Sequence, residues 1–498
     1  MNTSKTAITF KPEPPLREGQ FLRSPILHRG QAFRALAVVT LVTAVAALLG
    51  LRPARAEAVQ TMEIASARSA DAQRFDLAQM DLSKTRRNAT KKKNSRKTVR
   101  QPERSKRQAN SSPPQRPAGR GSKSDAAFQS YIAGLWPQAR ARGVSRAIFD
   151  QAFAGVRLNR AVLKPAGKQA EFVKPIWSYL TNSVSPRRIS QGREHARRWN
   201  DTLANIERRY GVDRYVVLAI WGMETSYGGF TGNQNVIRAL ASLAFAGIRE
   251  DFFRNELLTA LVILQQGHVS ARQMTGSWAG AMGQTQFMPT SFVKYAVDYN
   301  GDGHKNIWTH VPDALASTAN YLARFGWQRG ITWGYEVVLP RNFDYAAHDP
   351  RVNRPFSYWS SIGVRRADGR AMPTSSSAAI MLPAGRHGPA FLMTGNFKVI
   401  KEYNRSNAYA LGVAHLSDRI AGMGPLKQSW PRKDKPLSKS QVMFMQRYLN
   451  RHGYKAGKVD GRVGENVTAA IRDFQLKRGL VADGYPTQAL WRTMRNSR

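Results

Sequence analysis

A chain of 498 residues with 42% apolar content has room for two or three domains with real cores. Its formal charge of +43 points to an anionic partner: nucleic acid, a membrane surface or an acidic polymer. Cysteine is absent, which excludes disulfides, thiolate metal sites and cysteine nucleophiles together.

In chain order, the first feature is the uncharged run "ALAVVTLVTAVAALLGL" at 35–51. Arg17, Arg23, Arg29 and Arg34 precede it, and the small-x-small site Ala54-Arg55-Ala56 follows. Basic flank, apolar stretch and small-residue exit read as a signal peptide over residues 1–56, with an uncleaved membrane anchor as the alternative. Export would place the protein in the periplasm, and an uncleaved segment would tether it to the inner membrane. Residues 57–125 lack periodicity. Their later half, "KTRRNATKKKNSRKTVRQPERSKRQANSSPPQRPAGRGSKS", cannot bury enough apolar surface to offset its ordering entropy. It reads as a basic linker drawn to an anionic envelope surface. Behind an export signal this is preferred to nucleic-acid binding.

Residues 126–424 are globular in pattern. Apolar spacing predicts helices in "DRYVVLAIWGME" and "ELLTALVILQQG". From Tyr335 to Ile400 the runs "YEVVLP", "AAIMLP", "AFLM" and "NFKVI" predict short strands between Pro and Gly punctuation. A Pro- and Lys-rich linker, "MGPLKQSWPRKDKPLS", then leads into a compact unit over 436–496. The expected fold is therefore mainly α (α+β).

No HExxH, GxSxG, Walker or Rossmann pattern occurs, so metalloprotease, serine-hydrolase and nucleotide-dependent chemistries find no support. The strongest chemical signal is "GVDRYVVLAIWGMETSYGG". Asp213 can cap a helix that ends near Glu224, just before Gly228-Gly229. A carboxyl beside Trp221, Met223 and Tyr227 would be partly desolvated, which suits a general acid working near neutral pH. An exposed helical glutamate is the other reading of the same spacing. Further on, "GSWAGAMGQTQFMPTSFVKYAVDYNGDGHKNIW" places Ser277, Gln284, Gln286 and Thr290 among aromatic rings. Neutral hydrogen-bonding groups with aromatic faces suit a sugar, although a tightly packed structural turn fits equally. Within it, Asp298, Asn300 and Asp302 alternate like the start of a calcium loop, yet position twelve is Thr309 and not glutamate. A metal-free Asx turn is the alternative.

Three ordered stretches carry a resemblance. "MET" before Tyr227-Gly228, "AGAMGQTQFMP" followed by "YAVDYNGDG", and "EYNRSNAYALGV" resemble the membrane-bound lytic murein transglycosylase B family (glycoside hydrolase family 103) over residues 126–422. The C-terminal unit, with "VDGRVG" and "FQLKRGLVADG", resembles the three-helix peptidoglycan-binding domain. The resemblance implies a lysozyme-like catalytic domain with a small β element, cleaving the MurNAc–GlcNAc bond of peptidoglycan to 1,6-anhydroMurNAc ends. It assigns Glu224 as acid and then base, Ser277 and Gln286 to the site's lining, and Tyr321, Tyr403, Asn404 and Tyr409 to the sugar rings. It implies no organic cofactor but a structural calcium ion held by Asp298, Asn300, Asp302, the His304 carbonyl and Asp313. Peptidoglycan glycan strands would be the partner of a monomer that binds no nucleic acid. A hydrolysing muramidase and a non-catalytic peptidoglycan-binding scaffold are the competing functions.

Overall fold

The computed structural model describes residues 121–167 and 174–497. The signal segment and most of the basic linker therefore lie outside the described residues. Four short helices come first: α1 Gly121–Gly134, α2 Trp136–Arg140, α3 Arg146–Phe153 and α4 Arg160–Gly167. Helical structure thus begins a few residues before the expected domain start. Then follow α5 Ile176–Ser183, α6 Pro186–Arg198, α7 Asn200–Tyr210 and α8 Arg214–Thr225. After strand β1 (Gln234–Asn235) come α9 Val236–Phe245 and α10 Glu250–Gln265, then strand β2 (Thr275–Gly276), α11 Pro289–Tyr295 and α12 Val311–Arg324. Among the described residues no helix is long and apolar enough to cross a membrane.

Helix α8 is the axis of this assembly. The Asp213 carboxylate accepts from the N–H groups of Tyr215 and Val216 at 2.7 and 3.2 Å, satisfying donors that a helix start leaves open. Every residue from Val216 to Gly222 is buried, so the helix is enclosed on all sides and not merely on one stripe. Each fully buried Val, Leu or Ile here contributes about 1.5–3 kcal/mol relative to exposure. Helices α6 and α12 pack around it, as does α15 (Asn407–Ile420).

The β element is a five-stranded antiparallel sheet in the order β4-β6-β7-β3-β5. Its strands are β3 Gly334–Val338, β4 Arg354–Pro355, β5 Arg365–Arg366, β6 Ser377–Met381 and β7 Ala390–Met393. The three central strands are the expected β-rich runs. Both edge strands escaped the pattern because they are two residues long and carry Arg and Pro, residues that protect a sheet edge from further pairing. A helix α13 (Phe356–Ser361) sits between β4 and β5, and Trp359 and Phe356 anchor the sheet's own core.

The fourth expected strand, "NFKVI", is instead the start of helix α14 (Gly395–Tyr403). Thr394 caps it by accepting from Asn396 N–H at 3.3 Å, and Phe397, Ile400 and Tyr403 bury one helical face. The apolar run was short enough to fit either period; the cap decides it.

The segment read as a linker before residue 436 is laid down on the sheet. Glu336 on β3 accepts from the N–H groups of Lys427 and Gln428, both at 2.8 Å, and the Gln428 amide donates to the Val337 carbonyl at 2.6 Å. The last unit contains α16 Lys439–Arg451, α17 Glu465–Lys477 and α18 Gln488–Asn496 around a separate core. Buried Gln446 shapes the "VDGRVG" turn, accepting from Gly461 N–H at 2.8 Å and donating to the carbonyls of Lys458 and Arg462. Gln475 does the same for the "ADG" turn, through Asp483 and Gly484.

Candidate active site

Glu224 stands one residue before the end of α8 and is only 2% exposed. The Tyr409 hydroxyl, delivered by α15, donates to its Oε1 at 2.6 Å. Burial disfavours the charged carboxylate, while this bond favours it, so the two influences oppose each other. Burial first, and the field of Glu224 second, push the phenols of Tyr403 and Tyr409 well above their ordinary range. The same causes push Tyr179 up to about 12. Three tyrosines around the carboxyl thus stay protonated at any physiological pH, and the hydroxyls of Tyr403 and Tyr409 act as donors.

The second motif is brought against the first by the antiparallel pair β1–β2, with Gln234 opposite Gly276 and Asn235 opposite Thr275. Gly232 makes that approach feasible: its φ is +93°, and a Cβ there would lie 2.1 Å from the Gly276 carbonyl oxygen. The loop beyond β2 is organised by its own polar side chains. Ser277 Oγ accepts from the N–H groups of Ala281 and Ala279 at 3.0 and 3.3 Å. Gln286, in a left-handed conformation at φ +52°, donates to the Thr231 and Gly283 carbonyls at 3.0 and 2.9 Å. Both are about as buried as Glu224. Their amide and hydroxyl groups hold the loop's backbone.

The third motif supplies Tyr403, Asn404 and Tyr409. The Tyr403 hydroxyl donates to the Thr285 carbonyl at 2.6 Å, linking α14 to the second motif. Asn404 Oδ1 accepts from Ser406 N–H at 3.0 Å and shapes the turn into α15. Tyr321 has a packing place: its ring lies among Tyr295, Phe325 and Tyr403, and its hydroxyl donates to the Glu402 carbonyl at 2.7 Å. It packs directly against Tyr403. Sequence reasoning missed Tyr179, which comes from α5 and has no local signal tying it to Glu224.

Asp313 does reach back to the 298–306 loop. It is fully buried, its Oδ1 accepting from Tyr299 N–H at 3.0 Å and its Oδ2 from Asn306 N–H at 2.7 Å, with the His310 ring 2.7 Å from Oδ1. Asp298 accepts from the N–H groups of Gly301 and Gly303, and Asp302 from that of His304. The Asn300 amide donates to Asp302. The oxygens are right in kind for calcium, but among the described residues no three acidic or imidazole groups gather as a metal set. In this arrangement Asp298, Asn300, Asp302, His304 and Asp313 form a hydrogen-bonded Asx loop. Each carboxylate keeps lone pairs beyond those that the N–H groups take, so these oxygens would be the ones to hold the structural calcium ion that the resemblance implies.

Residues 127–418 match the family described as Transglycosylase SLT domain, and residues 438–494 match Putative peptidoglycan binding domain. Membrane-bound lytic murein transglycosylase B of Escherichia coli (strain K12) is 31% identical over 275 residues, spanning 52% of this chain and 70% of that relative. A crystal structure of SltB3 from Pseudomonas aeruginosa in complex with NAG-anhNAM-pentapeptide shares 46% identity at a TM-score of 0.71, over 74% of this chain and 99% of the other. The Escherichia coli lytic transglycosylase Slt35 in complex with calcium is 26% identical at a TM-score of 0.50, over 60% of this chain and 93% of the other. With more than half of its length matched and its helices gathered around a buried glutamate, the chain belongs to the transglycosylase SLT domain family.

Proposed function

We propose that this enzyme is a lytic transglycosylase that cleaves peptidoglycan glycan strands with Glu224 as its single acid and base. The observation that carries the reading is the buried Glu224 carboxyl held by the Tyr409 hydroxyl at 2.6 Å. Protonated Glu224 gives its proton to the glycosidic oxygen as the bond from MurNAc C1 to that oxygen breaks. The carboxylate then takes the proton of the same sugar's 6-hydroxyl, whose oxygen closes onto C1. The product is a 1,6-anhydroMurNAc end plus a free GlcNAc hydroxyl, and no water is consumed. Tyr409 keeps Glu224 oriented through both steps, and its own elevated pKa keeps it from competing for the proton.

A hydrolysing muramidase would need a second carboxylate to activate water or to attack the sugar. Asp298, Asp302 and Asp313, three other acidic side chains in and near these motifs, are occupied with loop N–H groups, which supports the single-carboxyl scheme. The C-terminal unit holds the polymer. The reading extends to an exported, wall-acting protein, on the apolar run at 35–51.

Mass spectrometry of fragments released from purified peptidoglycan tests the chemistry. Anhydro ends, one water lighter than reducing ends, are expected. Glu224→Gln is expected to release nothing while still binding sacculi; full activity in that variant would sink the assignment.

A further inference from the structure

The turn that follows Glu224 is strained. Ser226 and Tyr227 are both left-handed, at φ +52° and +59°, and neither is glycine. Such residues each cost about 1–2 kcal/mol, so something must hold the turn in place. Tyr227 contributes by donating to the Arg188 carbonyl at 2.8 Å. Backbone bonds from Ser226 N–H to the Gly222 carbonyl and from Phe230 N–H to the Thr225 carbonyl close it locally, and one residue from another part of the chain grips it from outside.

Gln284 is 4% exposed and spends every polar group it owns. Its Oε1 accepts from the Trp221 indole N–H at 2.9 Å, and its main-chain carbonyl accepts from the Thr225 hydroxyl at 3.1 Å. Trp221 and Thr225 flank Glu224 on α8. The Thr225 hydroxyl in turn accepts from Gly228 N–H at 3.1 Å, so the bond network spans the strained turn. On its far side, Gln284 N–H donates to the Ile307 carbonyl at 2.8 Å, and Nε2 reaches the Trp308 carbonyl at 3.4 Å. The fit leaves no slack: a Cβ on Gly228 would lie 2.6 Å from Gln284 Oε1.

We propose that Gln284 is a positioning residue for the reaction, clamping the end of α8 to the 307–308 segment so that Glu224 meets the glycosidic oxygen at the working angle. This rests on Glu224 being the acid. Gln284 has no role on the substrate: its amide faces Trp221 and the backbone of Trp308. Methionine has the shape of glutamine without its side-chain hydrogen bonds to Trp221 and Trp308, and it keeps the main-chain bonds to Thr225 and Ile307. Glutamate keeps the acceptor for Trp221 but cannot donate to Trp308, and it adds a negative charge beside the end of α8.

The test is steady-state kinetics on soluble uncrosslinked glycan strands, over a range of pH, with Glu224→Gln run alongside. Gln284→Met is expected to lower kcat on the order of 10²-fold, the scale of a misplaced reacting group, with KM unchanged. Gln284→Glu is expected to recover part of kcat and to move the alkaline limb of the profile upward, since added negative charge opposes ionisation of Glu224. Thr225→Val breaks the same clamp from the helix side; it should lower kcat alone and be non-additive with Gln284→Met. Wild-type kcat in either Gln284→Met or Thr225→Val overturns the proposal, as does strict additivity in the double variant. If Gln284→Met does not fold, Thr225→Val decides by itself. Activity in Glu224→Gln defeats the catalytic assignment instead, so the two failures are told apart.

Discussion

Glu224 was legible as a candidate because its neighbours on α8 are apolar and its helix has a visible cap and a visible end. Its chemistry was not, because the groups that define it come from α5, α15 and the second motif. Tyr179 lies far back in the chain, and nothing in "IWSYLTNS" announces that its ring will stand in the field of Glu224. Gln284 illustrates the opposite case. It was visible as a polar residue among aromatics, which suits a sugar, yet the structure turns its amide onto Trp221 and the protein backbone. A residue's type predicts what it can bond, and only the fold says with whom. Two further buried groups on α15 are shifted in opposite directions. Burial pushes Asp418 up to about 7, although the Trp333 indole N–H donates to its carboxyl at 3.1 Å. One turn earlier, burial pushes His415 down to about 4. Between about pH 4 and 7 the folded state binds the extra Asp418 proton, so that group's contribution falls as pH rises. For His415 the unfolded state binds the proton, so its contribution falls as pH drops from 6.5 toward 4. The two slopes oppose each other in the wild type. Asp418→Asn keeps an acceptor for Trp333 and removes one slope. Its melting temperature should exceed that of the wild type at pH 8, match it near pH 4, and climb more steeply between. An unchanged pH profile would refute the account.

At the scale of elements, helices with marked caps were the easiest to foresee, and so were the three central strands. Edge strands β4 and β5 were not, because the residues that protect a sheet edge are those that hide it from a hydrophobic pattern. The 298–313 loop shows that one motif can answer two needs. Alternating acidic residues and glycines mark a loop whose carboxylates must satisfy inward-pointing N–H groups, and that need exists with or without a cation. Asp313 ties residues 299 and 306 together from the first turn of α12, at full burial. Asp313→Ala would strand those two donors, at about 1–3 kcal/mol each. Thermal denaturation in the presence of a chelator should therefore show a lowered melting temperature for this variant. An unchanged melting temperature would mean that the loop does not depend on its own closure.

The whole molecule departs from a picture of two beads on a string. The Pro- and Lys-rich stretch is bonded to β3 through Glu336, and Trp430 within it lies 6.1 Å from the Trp177 ring. Arg472 on α17 is 5% exposed and donates to the carbonyls of Ala346 and Tyr345 at 2.6 and 3.3 Å. Asp483 accepts from Arg386 N–H at 3.1 Å, and Lys401 pairs with Glu465. Composition marks this stretch as a linker because proline and lysine resist packing, yet backbone N–H groups can be captured whatever their side chains. Arg472→Met removes bonds from a charged donor worth about 1.5–3 kcal/mol each. Calorimetry should then show the C-terminal unit melting in a separate, earlier transition, whereas coincident melting would show that other contacts suffice.

A wall-binding unit without a loose tether changes the arithmetic of attachment. On a flexible linker, the second site would sample many spacings at a diluted local concentration, and almost any neighbouring strand would serve. Held by Arg472 and Glu336, the C-terminal unit keeps one spacing from the Glu224 site, and on the proposed function the two would meet the polymer at that spacing. Strands that match it gain the full multiplication of two affinities, and strands that miss it gain nothing. Avidity would thereby become a selection among glycan arrangements in the wall.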